Sequence, residues 1–250
     1  MSGEVSVERV LARLDEHLEA GDPAAALRHL TYWLEEASAT KNTRLELPLR
    51  NELMGLYRRE GRGEEAVAAA REALTRLDAT GLRATVAGGT TLLNAATVFS
   101  AFDRAEEAIP LFCEAEAIYE RELPPGDGRL GGLYNNMGTV LSSLGRYREA
   151  KTAYRRALTV MEGIADSAPE QAVTYLNMAD CLYAELGAVE AEEQVLTLLT
   201  TARALLDGHG TPNAHYAFVC EKCAPVFGFY GQFAYEATLR ERAGRIYAGT

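Results

Sequence analysis

Apolar residues recur at spacings of three and four positions along most of this chain. Such spacing places the side chains on one face of an α-helix, whereas a strand would alternate with a period of two. Between residues 133 and 144 the apolar positions are Leu133, Tyr134, Met137, Val140, Leu141 and Leu144. A turn at residues 144–147 follows, and a second apolar-periodic segment continues to residue 158. Residues 133–158 are therefore predicted to form a helical hairpin, two helices joined by a tight turn.

This hairpin pattern repeats about every 42 residues. Residues 91–119 align with residues 133–158 almost without gaps, and residues 175–199 align with one extra residue before their turn. The predicted turns lie at Gly21, Gly61, Asp103, Gly145, Gly187 and Gly231. Glycine after the first helix permits the left-handed backbone conformation that reverses the chain. We predict six antiparallel hairpins in a single repeat domain over residues 1–250, at about residues 5–40, 43–80, 84–122, 127–165, 169–207 and 212–248.

The charge balance is acidic and narrows the classes of partner. The chain has 25 Lys plus Arg against 36 Asp plus Glu, a formal net charge of −11. An acidic surface repels phosphate, so nucleic acid and anionic membranes are not expected as partners. The first 23 residues lack the basic and then apolar order of a signal peptide. No apolar run approaches the ~18 residues of a membrane span, and we expect a cytoplasmic protein.

The four cysteines, Cys113, Cys181, Cys220 and Cys223, are expected to be reduced and buried. Cys220 and Cys223 form a CxxC motif, but no second pair exists to complete a zinc site. A redox-active CxxC would lie between a strand and a helix, whereas this one lies inside a helical pattern. No metal and no other cofactor is predicted.

The repeat resembles the tetratricopeptide repeat family. In the fourth hairpin, the positions that match the family's interior residues are Tyr134, Met137, Gly138, Leu141, Tyr147, Ala150, Tyr154 and Ala157. The second and third hairpins keep parts of the same pattern. A 42-residue period exceeds the family's usual ~34 and is similar to that of kinesin light chains and bacterial peptide-pheromone receptors. The resemblance implies an all-α, right-handed superhelical solenoid in which the first helix of each hairpin lines a concave groove.

Asparagine occupies one matching position on three successive first helices, at Asn94, Asn136 and Asn177. An amide can both accept from and donate to the backbone of an extended peptide. In the 42-residue repeats that this chain resembles, the matching asparagine contacts peptide backbone, which implies that role here. The peptide-binding set is predicted to be Asn94, Asn136, Asn177, Asn135, Thr97, Thr139, Tyr183 and Lys222. Alternatively, the asparagines hydrogen-bond the backbone of a neighbouring hairpin or are simply exposed.

The last 35 residues are rich in aromatic side chains. They contain eight of the twenty aromatic residues, namely Tyr216, Phe218, Phe227, Phe229, Tyr230, Phe233, Tyr235 and Tyr247. Two interpretations remain open: the aromatic residues close the end of the repeat array, or they form a pocket or self-association surface. Pro225 is expected to kink the helix around it or to end that helix early.

Nothing in the sequence indicates catalysis. The four histidines, His17, His29, His209 and His215, do not accompany a serine or cysteine in a recognisable nucleophile motif. We therefore predict a non-catalytic scaffold, monomeric or homodimeric, whose groove binds an extended peptide or a segment of a partner protein. The alternatives are a structural protein that self-associates through the aromatic C-terminal hairpin, and a sensor for a short signalling peptide.

Overall fold

The computed structural model describes residues 6–249, which form twelve α-helices and no β-strand. The helices are α1 Val7–Glu19, α2 Pro23–Ala39, α3 Thr43–Arg59, α4 Gly63–Thr80, α5 Val86–Ala101, α6 Ala105–Glu122, α7 Gly128–Ser143, α8 Tyr147–Glu162, α9 Ala168–Leu186, α10 Ala188–Gly208, α11 Ala214–Phe229 and α12 Phe233–Tyr247. Consecutive helices pair as six hairpins, so the prediction of an all-α hairpin repeat is confirmed. The chain divides after Leu123 into two compact units of three hairpins each.

The backbone reverses at each hairpin turn through one residue with a positive φ. Five of these residues are glycines, and the sixth is Asp103 with φ +58°. Aspartate tolerates the left-handed region better than most residues with a Cβ because its short side chain can hydrogen-bond locally. The predicted turn positions are therefore confirmed at all six hairpins.

The two helices of the fourth hairpin approach each other closely at Gly138. A Cβ atom at this position would lie 2.5 Å from the ring of Tyr154, which is almost completely buried. Only glycine leaves room for the tyrosine ring at this point of the α7–α8 contact. Gly138 and Tyr154 thus interlock in the core of the second unit.

The expected burial of the cysteines is wrong for one of the four, and one of the two outcomes expected at Pro225 is excluded. Cys113 is exposed, whereas Cys181, Cys220 and Cys223 are buried, and all four are free thiols. Burial raises the pKa of Cys223 to about 12, which disfavours its reactive thiolate. Pro225 does not end α11 early, because the helix continues to Phe229. Pro225 and Glu221, whose carbonyl loses its helical hydrogen bond, both lie on the exposed side of α11, where water can satisfy that carbonyl.

Candidate ligand-binding site on the first helices

Every residue of the predicted peptide-binding set lies on the first helix of a hairpin. In the first unit, Asn94 and Thr97 lie on α5. In the second unit, the six others lie on α7, α9 and α11; they are Asn135, Asn136, Thr139, Asn177, Tyr183 and Lys222. Because the set is divided between the two units, we describe each part separately.

A hydrogen-bonded amide network joins α7 to α9 in the second unit. The Asn135 Oδ1 atom accepts from Asn177 Nδ2 at 2.9 Å and from Thr174 Oγ1 at 3.1 Å. The Asn135 Nδ2 group donates to Asn136 Oδ1 at 3.3 Å. These bonds give Asn135 a structural role between neighbouring hairpins, through side chains rather than through the backbone. A peptide-binding role for Asn135 remains a prediction.

Two of the predicted asparagines retain hydrogen-bonding capacity. Asn94 is half-buried, and its side chain makes no hydrogen bond to any residue within 6–249. Asn177 is also half-buried and uses its Nδ2 group toward Asn135, but within the same range its Oδ1 atom accepts no hydrogen bond. Half-buried amides usually find partners, because removing a polar group from water without a hydrogen bond is unfavourable. These two amides are therefore the strongest candidates for contact with a ligand.

The two predicted threonines are already engaged with their own helices. The Thr97 hydroxyl donates to the Leu93 carbonyl at 2.8 Å, and the Thr139 hydroxyl donates to the Asn135 carbonyl at 3.1 Å. Thr139 Oγ1 also accepts from the Tyr154 hydroxyl at 3.4 Å. Both hydroxyl protons are used inside the protein, so neither threonine presents a ligand with an unused hydroxyl donor.

Tyr183 lies in a cluster of aromatic rings at the end of α9 and α11. Its ring centroid is 5.4 Å from that of Phe229 and 5.9 Å from that of Tyr230, in near-perpendicular arrangements. The Tyr230 hydroxyl donates to Asp180 Oδ1 at 2.8 Å. The structure thus connects Tyr183 to two residues that the sequence analysis assigned only to the C-terminal aromatic group.

Asp180 is a functional candidate that the sequence analysis missed. Desolvation raises the pKa of its carboxyl group, and the hydrogen bond from Tyr230 only partly opposes this effect. Asp180 lies three residues after Asn177 on α9, about one helical turn from a predicted site residue. This spacing is the feature of the sequence that could have identified it. Lys222 is exposed on α11. We refer to Asn136, Asn177, Asp180, Tyr183 and Lys222 as the first-helix face of the second unit.

The C-terminal aromatic residues divide into buried and exposed groups. Tyr216, Phe227 and Tyr235 are buried in the core of the second unit. Arg242 on α12 donates to the Tyr216 hydroxyl at 2.6 Å and to Asp207 Oδ1 at 2.9 Å, which ties α12 to α10 and α11. The members that remain substantially exposed are Phe218, Phe229, Phe233 and Tyr247. Both interpretations of this aromatic group thus retain residues that suit them.

Within residues 6–249, none of the helices is both long and apolar enough to span a membrane.

Comparison with known proteins identifies the repeat. Residues 130–204 match the tetratricopeptide repeat family model. No curated protein matches the chain in sequence.

Solved structures resemble a larger part of the chain. A Podosopora anserina protein assigned as a kinesin light chain, with nearly identical TPR-like repeats, covers 81% of this chain and 95% of its own, at 16% identity and a TM-score of 0.55. The match to BtubC (BKLC) of P. vanneervenii covers 98% of this chain and 92% of BtubC, at 18% identity and a TM-score of 0.57. The match to a Rap protein complexed with competence and sporulation factor covers 98% of this chain and 76% of the Rap chain, at 14% identity and a TM-score of 0.56.

At these identities the structural likeness concerns the fold alone. The predicted resemblance is confirmed: the chain carries tetratricopeptide repeats at residues 130–204 and folds as an all-α helical-hairpin repeat protein.

Proposed function

We propose that this protein is a non-catalytic scaffold whose first helices bind an extended segment of a partner polypeptide. Tetratricopeptide repeat proteins in general bind proteins or peptides and are not usually enzymes. The observation that carries the proposal for this chain is the unused hydrogen-bonding capacity of Asn94 and Asn177. Both are half-buried amides on first helices.

The chemistry of these amides suits recognition of peptide backbone. The Asn177 Oδ1 atom can accept from a peptide N–H, and the Asn94 side chain can both accept and donate. Such contacts read the main chain, so they provide affinity with little dependence on the ligand's sequence. Selectivity would come from the neighbouring side chains of the first-helix face, which offer a carboxylate at Asp180, an aromatic ring at Tyr183 and an ammonium group at Lys222.

A fold-level analogy supports the same proposal. The Rap protein that resembles this chain was solved in complex with competence and sporulation factor. Because a shared fold does not by itself transfer function, the analogy adds to the argument from Asn94 and Asn177 without replacing it. We also propose a cytoplasmic location and no nucleic-acid partner, which the free thiols and the net charge of −11 favour.

The proposal is tested by removing the two amides together. Loss of one neutral hydrogen bond weakens binding by about 1 kcal/mol, so the double variant Asn94→Ala, Asn177→Ala should reduce affinity roughly fivefold for a ligand held by either unit. Partners would be captured from a cell lysate with the wild type, identified by mass spectrometry, and their affinities then compared between proteins.

Gln194→Ala is the matched control, because it removes an exposed amide from α10, a second helix. This control should capture the same partners as the wild type. Thermal unfolding of each variant separates loss of binding from loss of folding. If the double variant is folded and captures every partner with unchanged affinity, the proposed role of the first helices is wrong.

A further inference from the structure

The turns of the hairpins differ in chemistry along the chain. At the turns of hairpins two, three and four, an arginine directly after the turn residue pairs with a glutamate three positions later. These pairs are Arg62–Glu65 at 2.8 Å, Arg104–Glu107 at 2.8 Å and Arg146–Glu149 at 2.7 Å. Three successive turns thus present the same charged and hydrated pair to solvent.

The arginine and glutamate are missing from the last two turns. The matching positions are Ala188 and Ala191 in hairpin five and Gln232 and Tyr235 in hairpin six. Two residues after each turn glycine, an apolar side chain is instead directed into solvent: Val189 is 80% exposed and Phe233 is 69% exposed.

One ring contact joins the apolar residues of these two turns. The Tyr183 ring before the fifth turn contacts the ring of Phe229 before the sixth, with centroids 5.4 Å apart. Phe229 itself is 64% exposed. We define the apolar edge as Tyr183, Leu186, Val189, Phe229 and Phe233. Among the nine large hydrophobic side chains that are exposed within residues 6–249, these five are concentrated at two adjacent turns, and such concentration is typical of an interaction surface.

The surroundings of the apolar edge are acidic. From residue 188 to residue 202, α10 contains Glu190, Glu192 and Glu193 but no lysine or arginine. All three glutamates are exposed. Asp180 adds a carboxylate whose one hydrogen bond within the described chain comes from Tyr230. The edge therefore has an apolar centre and, on its α10 side, a negatively charged border.

This charge pattern selects among possible occupants. A second copy of the chain docked symmetrically on this surface would bring carboxylates against carboxylates, which is unfavourable. A segment with an apolar face flanked by lysine or arginine would match both the centre and the border.

We propose that the apolar edge docks an amphipathic basic helix of a partner protein. This surface lies at the turns of hairpins five and six. It contains neither Asn94 nor Asn177, and it shares only Tyr183 with the first-helix face. Binding there does not require that Asn94 or Asn177 contacts a peptide.

The test uses a defined probe, a fluorescein-labelled helical peptide of about 14 residues, or four turns, with leucines on one face and lysines on the other. A second peptide carries glutamate in place of lysine. Fluorescence anisotropy with the full-length protein should show binding of the lysine peptide and at least tenfold weaker binding of the glutamate peptide. Val189→Ser with Phe233→Ser should reduce affinity for the lysine peptide about tenfold or more, because it removes two apolar contacts.

Leu196→Ser is the matched control, since Leu196 is an exposed apolar residue of α10 that lies outside the apolar edge. It should leave the affinity within about twofold of the wild type, as should Asn94→Ala with Asn177→Ala. Equal affinity of the wild type for the two peptides would overturn the proposal. Equal affinity of the wild type and the Val189→Ser, Phe233→Ser variant for the lysine peptide would overturn it as well. So would a loss of binding in the Asn94→Ala, Asn177→Ala variant, because the peptide would then contact the amides of the proposed function rather than the apolar edge.

Analytical ultracentrifugation of the protein without peptide tests whether a second copy of the chain occupies the apolar edge. We expect a monomer in both the wild type and the Val189→Ser, Phe233→Ser variant. A wild-type dimer that this double substitution dissociates would mean that the edge binds a second copy of the chain, and the proposal of a basic partner helix would be wrong.

Discussion

The two units contain polar networks of different chemistry, one inside a single hairpin and the other between two hairpins. In the first unit, Glu46 and Arg50 are only 3% and 5% exposed, and Arg50 donates to Glu46 at 2.8 and 3.1 Å. Arg76 on α4 donates to both oxygens of Glu46, at 2.8 and 3.0 Å. In the second unit, the neutral amides of Asn135 and Asn177 join α7 to α9. Ion pairs hold the α3–α4 contact, and amide hydrogen bonds hold the α7–α9 contact.

The comparison shows how much the stability of each network depends on every residue in it. Burial by itself raises the pKa of Glu46, but the hydrogen bonds from Arg76 and Arg50 outweigh that effect and lower the pKa overall. Removing one member therefore leaves a charge in a site without water. The amides of the second unit are half-buried and uncharged, so the loss of one leaves a smaller penalty.

The largest expected effect comes from Glu46→Ala. Arg50 would stay buried with only Glu72, which is 61% exposed, as its ionic partner at 3.0 Å. Breaking a buried pair in this way lowers the free energy of unfolding by about 3–5 kcal/mol. Urea denaturation at neutral pH, followed by circular dichroism, measures the change.

Two further variants decide whether the comparison between the units holds. Glu72→Ala removes an exposed partner of Arg50 and should change the free energy of unfolding by less than about 1 kcal/mol. Asn135→Ala removes the centre of the amide network and should reduce it by about 1–2 kcal/mol. If Asn135→Ala destabilises the protein as much as Glu46→Ala does, the distinction between the two networks is wrong.

An intermediate effect is expected from the close approach of α7 and α8. Gly138→Ala would place a Cβ atom 2.5 Å from the Tyr154 ring, and such overpacking lowers the free energy of unfolding by about 1–3 kcal/mol. Gly132→Ala on the same helix is the control, because no atom lies within 4 Å of the added Cβ. The control should raise stability by about 0.5–1 kcal/mol through helix propensity. Thermal unfolding of both variants tests the pair, and equal destabilisation by the two would contradict it.

The smallest effect concerns the acid response of the second unit. Asp127 accepts from the backbone N–H of Arg129 at the start of α7, and the hydrogen bonds from the Arg129 guanidinium lower its pKa to about 2. Because the folded pKa lies below the unfolded value, this stabilisation is present above pH ~4 and is lost as the pH falls toward 2. Between pH ~5 and ~2, the wild type should lose up to about 1 kcal/mol more than Asp127→Asn does.

Thermal unfolding at several pH values measures this difference. Arg129→Gln should reduce the acid response in the same way, because it removes the guanidinium that lowers the pKa of Asp127. Identical pH profiles for the wild type and Asp127→Asn would mean that the ion pair does not stabilise the folded state.

The repeat architecture could be predicted because its determinants are local. The three- and four-residue spacing of apolar positions specifies the helices, and a left-handed residue specifies each turn. Asp103 could be placed by its register among the glycines, although aspartate alone would not have identified a turn. The continuation of α11 through Pro225 could not be predicted, because it depends on which side of the helix faces solvent.

The candidate site was less predictable than the fold. Asn135 and Asn136 are adjacent in the chain, and only the packing of α7 against α9 determines that Asn135 makes the bond to Asn177. Asp180 became a candidate because it accepts a hydrogen bond from Tyr230, which is 50 residues away in the chain. The apolar edge became visible only when the exposure of Val189 and Phe233 was known.

The sequence by itself determined the number of hairpins, the positions of their turns and the likeness of residues 130–204 to tetratricopeptide repeats. Each of these follows from residues that are close together in the chain or that recur at a fixed period. The tertiary structure decided that Glu46 and Arg50 are buried, that Asn135 joins two hairpins, and which aromatic residues of the C-terminal hairpin remain exposed. These outcomes depend on how neighbouring helices pack, because burial and hydrogen bonding are set by groups that are distant in the chain.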